Sequence, residues 1–440
     1  MSEISGADGG GGPYRVMVCD DSAVIRGLIS RTLETDPEIN VVATVSDGQM
    51  AINALARNDI EVCILDIEMP VMDGLTALPQ LVERQPDLQV IVASTLTRRN
   101  AEISLKALSI GAADYIAKPT TAVAINAGTD FKVELISKVK ALGASRRRIR
   151  GIPRPAAAPP STAPAASAMS VQAVPVTPVT AAPRAGSSTG YTFRDQPAPR
   201  PSGSLFNRSA TAQQAPPAPA RPVIARAAPA ASANTPRAPI SLRPLPTELP
   251  EVIAIGSSTG GPQALFSLLS ALGKVSQPIL ITQHMPATFT TILAEHIERA
   301  SGIPTFEAAE DMKVESGKIY VAPGDFHMSI EGSPQRPVIK LLKTPPESFC
   351  RPSVNPMLRS LVKLYGKRIL TVILTGMGQD GLKGGEMAVA AGGTIIAQDE
   401  ASSIVWGMPG AVASAGLCSA VLPLDEIGPM VRRLVTRNYQ

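Results

Sequence analysis

The stretch Tyr14-Arg15-Val16-Met17-Val18-Cys19-Asp20-Asp21 reads as a β-strand that ends in two adjacent carboxylates. Working outward, four more short β-branched runs follow, at Asn40–Val45, Glu61–Leu65, Leu88–Ala93 and Ala113–Ala117. Amphipathic stretches such as Val24–Glu34 and Phe131–Leu142 separate or follow them. Strands alternating with helical patterns five times predict a doubly wound parallel sheet. In such a sheet, sites form beyond the carboxyl ends of the strands.

The residues at those ends carry chemistry. Asp20 and Asp21 close the first strand, Asp66 the third, Ser94 the fourth and Lys118-Pro119 the fifth. Three crowded carboxylates repel one another unless a hard cation sits among them, and Mg²⁺ prefers oxygen ligands. Lys118 brings a compact charge suited to an incoming phosphoryl group. Asp66, the most central carboxylate, is the candidate nucleophile for an aspartyl-phosphate. A single aspartate at a strand end is ordinarily a solvated loop acid; the inference rests on five residues arriving together.

Residues 14–143 resemble the receiver domain of bacterial response regulators. The resemblance implies a flavodoxin-like fold, Mg²⁺ held by Asp20, Asp21 and Asp66, and phosphorylation at Asp66. It also implies that Ser94 senses the phosphoryl group and that Tyr115 is the aromatic that reorients.

Beyond this region the composition changes. Residues 151–250 hold 21 of the 41 prolines. Repeated Ala-Pro steps deny the segment helical hydrogen bonds, and it has few large apolar side chains. A disordered linker over 144–249 is the expectation. Residues 151–250 also carry nine arginines and no lysine, with Asp195 and Glu248 the only acids. That is +7 within a chain of formal charge +4, leaving −3 elsewhere. Neither flanking region has the basic surplus of a nucleic-acid binder.

The cysteines Cys19, Cys63, Cys350 and Cys418 form no CxxC pair, and three lie in apolar runs, which suits reduced, buried thiols. Residues 1–13 lack the apolar region of a signal peptide. No run of about 18 apolar residues occurs, so no membrane insertion is expected. A cytoplasmic location follows as the simplest expectation.

After the linker the alternation returns, in runs at Val252–Ile255, Pro278–Thr282, Ile319–Val321, Ile369–Leu374, Thr394–Ala397 and Ala420–Leu422. Helical patterns include Pro262–Leu272 and Pro356–Tyr365. A second, Rossmann-like α/β sheet is predicted over 250–438, with Met328–Ser329 and Val338–Leu341 adding an antiparallel hairpin at one edge.

Gly256-Ser257-Ser258-Thr259-Gly260-Gly261 lies between a strand and a helix and matches G-x-S-x-G with Ser258 at its centre. A serine on such a corner, beside free helix N–H groups, suits acyl transfer. The pattern alone is short, and a phosphate-binding turn or a plain tight connection also fits it. His284 ends the next strand, and Asp380 follows the strand Ile369–Leu374. Serine, histidine and aspartate thus reach one sheet edge, as a nucleophile, its base and an orienting carboxylate must. Their chain order differs from that of ordinary α/β-hydrolases. His296, inside a polar helix, keeps a structural reading.

A rival reading starts from Gly376-Met377-Gly378-Gln379-Asp380-Gly381, which matches G-x-G-x-x-G, with Asp399 at the end of the next strand as a ribose-binding acid. It makes the domain a nucleotide-binding module but leaves Ser258 and His284 unused. A receiver with a non-catalytic interaction module is the third reading.

Six segments in one order weigh against both rivals: Ile255–Gly261, Ile281–Pro286, Ala322–Met328, Cys350–Asn355, Ile373–Gly381 and Ile404–Gly410. Together they resemble the catalytic domain of the chemotaxis-specific protein-glutamate methylesterases, which also deamidate glutamine. A preceding receiver is that family's architecture. The resemblance implies Ser258 as nucleophile with Ser257 merely its neighbour, His284 as base, and Asp380 as orienter. Backbone N–H groups near Thr259 and Met377 are the candidates for the oxyanion hole. It further implies methyl-accepting chemotaxis receptors as substrates, a chemotaxis histidine kinase as phosphodonor, and no cofactor in the catalytic domain. One departure is Asn355, where relatives often carry aspartate; if that position holds substrate, substrate preference changes with it.

Overall fold

The computed structural model describes residues 12–118, 129–151 and 240–436. The linker expectation, and Pro119, therefore fall largely or wholly outside the described residues.

The N-terminal domain is built from β1 (Tyr14–Cys19), α1 (Ala23–Leu33), β2 (Ile39–Val45), α2 (Gly48–Leu55), β3 (Val62–Asp66), α3 (Gly74–Arg84), β4 (Gln89–Ser94), α4 (Arg98–Ser109), β5 (Asp114–Ala117) and α5 (Thr129–Ile149). The strands form one parallel sheet in the order β2-β1-β3-β4-β5. This is the flavodoxin-like winding. The central strand β3 is buried at every position, as a parallel sheet covered on both faces requires. Side chains start the helices: Ser22, Asp47, Asp73 and Thr97 each accept a hydrogen bond from a backbone N–H in the first turn.

Helix α5 runs seven residues past the Leu142 expected as its end. The expected linker starts at residue 144, yet Arg146 is only 1% exposed. It pairs with Asp87 (2.9 Å) and Asp59 (3.0 Å), while Arg147 grips both oxygens of buried Glu61 (2.5 and 2.7 Å). Paired acids on the sheet's lower edge thus keep the helix wound.

The C-terminal domain contains β6 (Val252–Ser257), α6 (Gly261–Leu272), β7 (Ile279–Gln283), α7 (Ala287–Ser301), β8 (Thr305–Glu307), β9 (Ile319–Val321), β10 (His327–Ser333), β11 (Arg336–Leu342), α8 (Val354–Tyr365), β12 (Ile369–Ile373), α9 (Leu382–Ala390), β13 (Thr394–Gln398), α10 (Met408–Ser414), β14 (Ala420–Leu422) and α11 (Leu424–Thr436). Seven strands pair in parallel in the order β14-β13-β12-β6-β7-β9-β8. The chain winds outward from β6 in one direction and later from β12 in the other. The switch point lies between these two neighbours, where ligand crevices form in open α/β sheets.

Two expectations need correction. The hairpin β10–β11 is a separate two-stranded sheet rather than an edge of the large one. The edge is taken instead by β8, a three-residue strand too short to show a period in the sequence.

Candidate functional site

In the N-terminal domain the oxygens of Asp20, Asp21 and Asp66 lie within 4.8 Å of one another. Lys118 Nζ is 2.7 Å from both Asp20 Oδ2 and Asp66 Oδ1. Burial pushes the Asp66 carboxyl above its ordinary value, against the pull of Lys118. A cavity of about 280 Å³ opens beside them, lined by Asp66, Glu68, Thr95 and Lys118 among others. An all-oxygen donor set of this charge facing a cavity fits a hard divalent cation. Ser94 borders the same cavity, and its hydroxyl lies 2.8 Å from that of Ser104. Tyr115 is directed elsewhere: its ring stacks on Phe289 of α7, with centroids 4.5 Å apart.

In the C-terminal domain, β6 and β7 are neighbours with Ser257 registered against Gln283. Ser258 and His284 therefore leave the sheet side by side, and the His284 N–H donates to Ser257 O (3.2 Å). Ser257 is fully buried, and its hydroxyl donates to Gln283 Oε1 (2.6 Å), whereas Ser258 is partly exposed. The turn beyond Ser258 needs its glycines. Gly260 has φ +75°, and a Cβ on Gly376 would lie 2.8 Å from Ser258 Cβ. That close approach brings the loop of Met377 against the serine.

Asp380 is 1% exposed and heavily partnered. Its Oδ2 lies 2.8 Å from His284 Nε2 and accepts from Val354 N (2.6 Å); its Oδ1 accepts from Ser353 Oγ (2.7 Å) and Gly381 N (2.9 Å). The N-terminus of α8 thus points at this carboxylate. Burial alone would raise its pKa, but His284 and these donors hold it below the usual carboxylate value. Ser353 N donates in turn to Nδ1 of buried His327 (3.1 Å).

Cys350 had no role in the sequence reading. Its sulfur lies 3.3 Å from His284 Nδ1, the ring nitrogen left free by Asp380. Burial works against a charged imidazole here, but the sulfur and Asp380 outweigh it and push His284 up to about 10. Among the described residues, no hydrogen bond joins Ser258 Oγ to His284. The structure thus joins His284 to Asp380 and sets Ser258 beside them without engaging it. Such bonds are commonly loose before substrate binds.

Asn355 is 2% exposed, and its side-chain oxygen accepts from Gly384 N (2.8 Å), tying α8 to α9. Its side chain faces the interior. Asp399 accepts from the N–H and hydroxyl of Ser402, closing its own turn.

The two domains also touch. Thr259 Oγ1 donates to Asp114 Oδ2 (2.7 Å), and Gln263 Nε2 donates to Ala112 O (2.5 Å). Asp114 is shared with buried Lys138 (3.2 Å).

Comparison with known proteins places both regions. Residues 253–431 match the family described as CheB methylesterase, and residues 16–128 match the response regulator receiver domain. The protein-glutamate methylesterase/protein-glutamine glutaminase 1 of Rhodospirillum rubrum is 51% identical over 431 residues, covering 97% of each chain. The group 2 operon protein of the same description from Rhodospirillum centenum is 51% identical, over 99% of this chain and 97% of its own. Among solved structures, the Thermotoga maritima CheB methylesterase catalytic domain is 35% identical, covering 43% of this chain and all of its own, with TM-score 0.41.

Proposed function

This chain belongs to the protein-glutamate methylesterase/protein-glutamine glutaminase family, and we propose that it hydrolyses glutamate γ-methyl esters and deamidates glutamines on chemotaxis receptors by a Ser258-His284-Asp380 triad under receiver control. The observation that carries the catalytic part is the 2.8 Å contact of His284 Nε2 with the buried Asp380 carboxylate, one strand-end away from Ser258.

Ser258 Oγ attacks the ester carbonyl while His284 Nδ1 takes its proton. Asp380, fixed by the α8 N-terminus, holds the ring and offsets the charge it gains. Backbone N–H groups at Thr259 and Met377 face the oxygen that becomes negative. Methanol leaves with the proton from His284, and water then releases the glutamate carboxylate by the reverse roles. Glutamine follows the same path with ammonia as the leaving group. For this, the imidazole must exchange its Cys350 contact for one with Ser258.

In the receiver, Asp66 takes the phosphoryl group from the phosphohistidine of a chemotaxis kinase. Asp20, Asp21 and Asp66 would hold Mg²⁺, which supplies positive charge for the phosphoryl oxygens. Lys118 neutralises further charge. The receiver's Asp114 and Tyr115 lie against Thr259 and α7, the segments that follow Ser258 and His284. Docked there, the unphosphorylated receiver restrains the site.

The test is methanol release from methylated receptor membranes. Ser258→Ala loses it and Ser257→Ala largely retains it; an active Ser258→Ala enzyme would remove the triad reading.

A further inference from the structure

Segment 343–349, between β11 and α8, is exposed at every residue except the half-buried Glu347. At its tip Phe349 is completely exposed (103%). A phenyl ring so placed gains nothing in folding.

Its backbone is also unusual. Ser348 (φ 52°) and Phe349 (φ 63°) both occupy the left-handed region that L side chains rarely adopt. Glu347 N donates to Cys350 O (3.1 Å) and Cys350 N to Glu347 O (2.9 Å), closing a two-residue turn between them. Asn-Gly is the sequence that such a turn favours, and Ser-Phe stands in its place. Strain of this kind persists where surrounding contacts over-determine it, and clusters where function needs it.

Those contacts are present on both sides. The Glu347 carboxylate takes two bonds from Arg359 of α8, one of 2.7 Å to Nη1 and one to Nη2. Cys350 Sγ rests 3.3 Å from His284 Nδ1. The ring is thus carried on a clamped turn one residue away from the group that touches the catalytic imidazole.

We infer that Phe349 is an apolar anchor that docks the receptor segment bearing the scissile ester. The inference rests on the proposed function, in which the scissile side chain is carried by a receptor protein rather than a small molecule. An aromatic one residue before Cys350, whose sulfur touches His284, meets residues flanking the ester as it reaches Ser258. Rigid aromatic rings that lose full solvent exposure on binding are typical anchors of protein interfaces.

The experiment compares two substrates with the full-length protein in the presence of a phosphodonor: methylated receptor membranes, and the γ-methyl ester of an N- and C-blocked glutamate. Phe349→Ala should raise KM for receptor about tenfold or more, the range of an interface anchor, while changing kcat/KM on the small ester less than about twofold. Phe349→Leu should restore most of the receptor KM. An unchanged receptor KM overturns the inference, as does an equal loss on both substrates, because the turn would then act only by holding Cys350 against His284. Ser258→Ala measured alongside separates the two levels: activity surviving there sinks the catalytic reading, whereas its loss with an unaltered Phe349→Ala enzyme sinks only the anchor.

Discussion

The Thr259 hydroxyl, one residue past Ser258, donates a 2.7 Å hydrogen bond to the Asp114 carboxylate at the start of β5. Asp114 also faces Lys138 and accepts from the Tyr115 N–H. Removing the threonine hydroxyl therefore leaves no orphaned charge. A hydrogen bond to an ionised group contributes about 1.5–3 kcal/mol. Thr259→Val keeps the backbone N–H and should loosen the docked receiver, raising methyl ester hydrolysis by the unphosphorylated protein several-fold. Unchanged basal hydrolysis would show that this contact does not restrain the site.

The adjacent serines should separate sharply. Ser258→Ala deletes the proposed nucleophile, and loss of a triad serine costs on the order of 10⁶ in kcat. Ser257 is buried with its hydroxyl on Gln283, so Ser257→Ala should act on stability, at about 1 kcal/mol for a lost buried hydrogen bond. Thermal unfolding and methanol release measured on both variants check the assignment; the reverse pattern would exchange the roles.

Much of this was legible because parallel strands put their ends together. Asp20, Asp66, Ser94 and Lys118 close four strands of one sheet, and strand ends are fixed by local apolar runs. Ser258, His284 and Asp380 follow the same logic around the β6–β12 switch point. Cys350 was not legible, since it sits in a turn 66 residues after His284 and no periodicity links them. Arg146 fell inside the expected linker for a related reason: its partners Asp59 and Asp87 come from elsewhere in the chain. Asn355 stood out only as a departure from relatives; its place in the first turn of α8 turns its side chain toward Gly384, which the sequence does not show.

The pH dependence should reflect the imidazole's neighbours. As the proposed base, His284 can accept a proton only when neutral, and in this arrangement it is pushed up to about 10, with the Cys350 sulfur and Asp380 opposing burial. Activity of the unphosphorylated protein should therefore rise with pH across the neutral range. Cys350→Ala removes one raising influence, lowers the histidine's pKa, and should move the acid limb of kcat/KM to lower pH. A limb that stays in place would mean the sulfur does not act on the base.

Asp66→Asn should abolish phosphate incorporation from acetyl phosphate without unfolding the receiver. Labelling of the wild type should require Mg²⁺, because Asp20, Asp21 and Asp66 lie within 4.8 Å and repel an anionic donor. Chelation should therefore act as the substitution does. Labelling that persists in Asp66→Asn would place the phosphoryl group elsewhere.

The last prediction concerns how a phosphoryl group on Asp66 is felt at α7, which begins far along the sequence at Ala287. Phosphorylation shifts a balance only through contacts that differ between the two states. Tyr115 is a direct candidate, since its ring stacks on Phe289 at 4.5 Å and it leaves β5 three residues before Lys118. A stacked aromatic pair adds about 0.5–1.5 kcal/mol beyond its buried area. If phosphorylation draws this ring away from Phe289, Tyr115→Leu should mimic part of the effect. Basal hydrolysis should rise a few-fold, while the phosphorylated rate changes little, so the activation ratio falls. Thr259→Val combined with Tyr115→Leu should raise the basal rate further toward the phosphorylated one, since both remove contacts of the same docked state. A Tyr115→Leu enzyme with the wild-type activation ratio would exclude the stack from the relay.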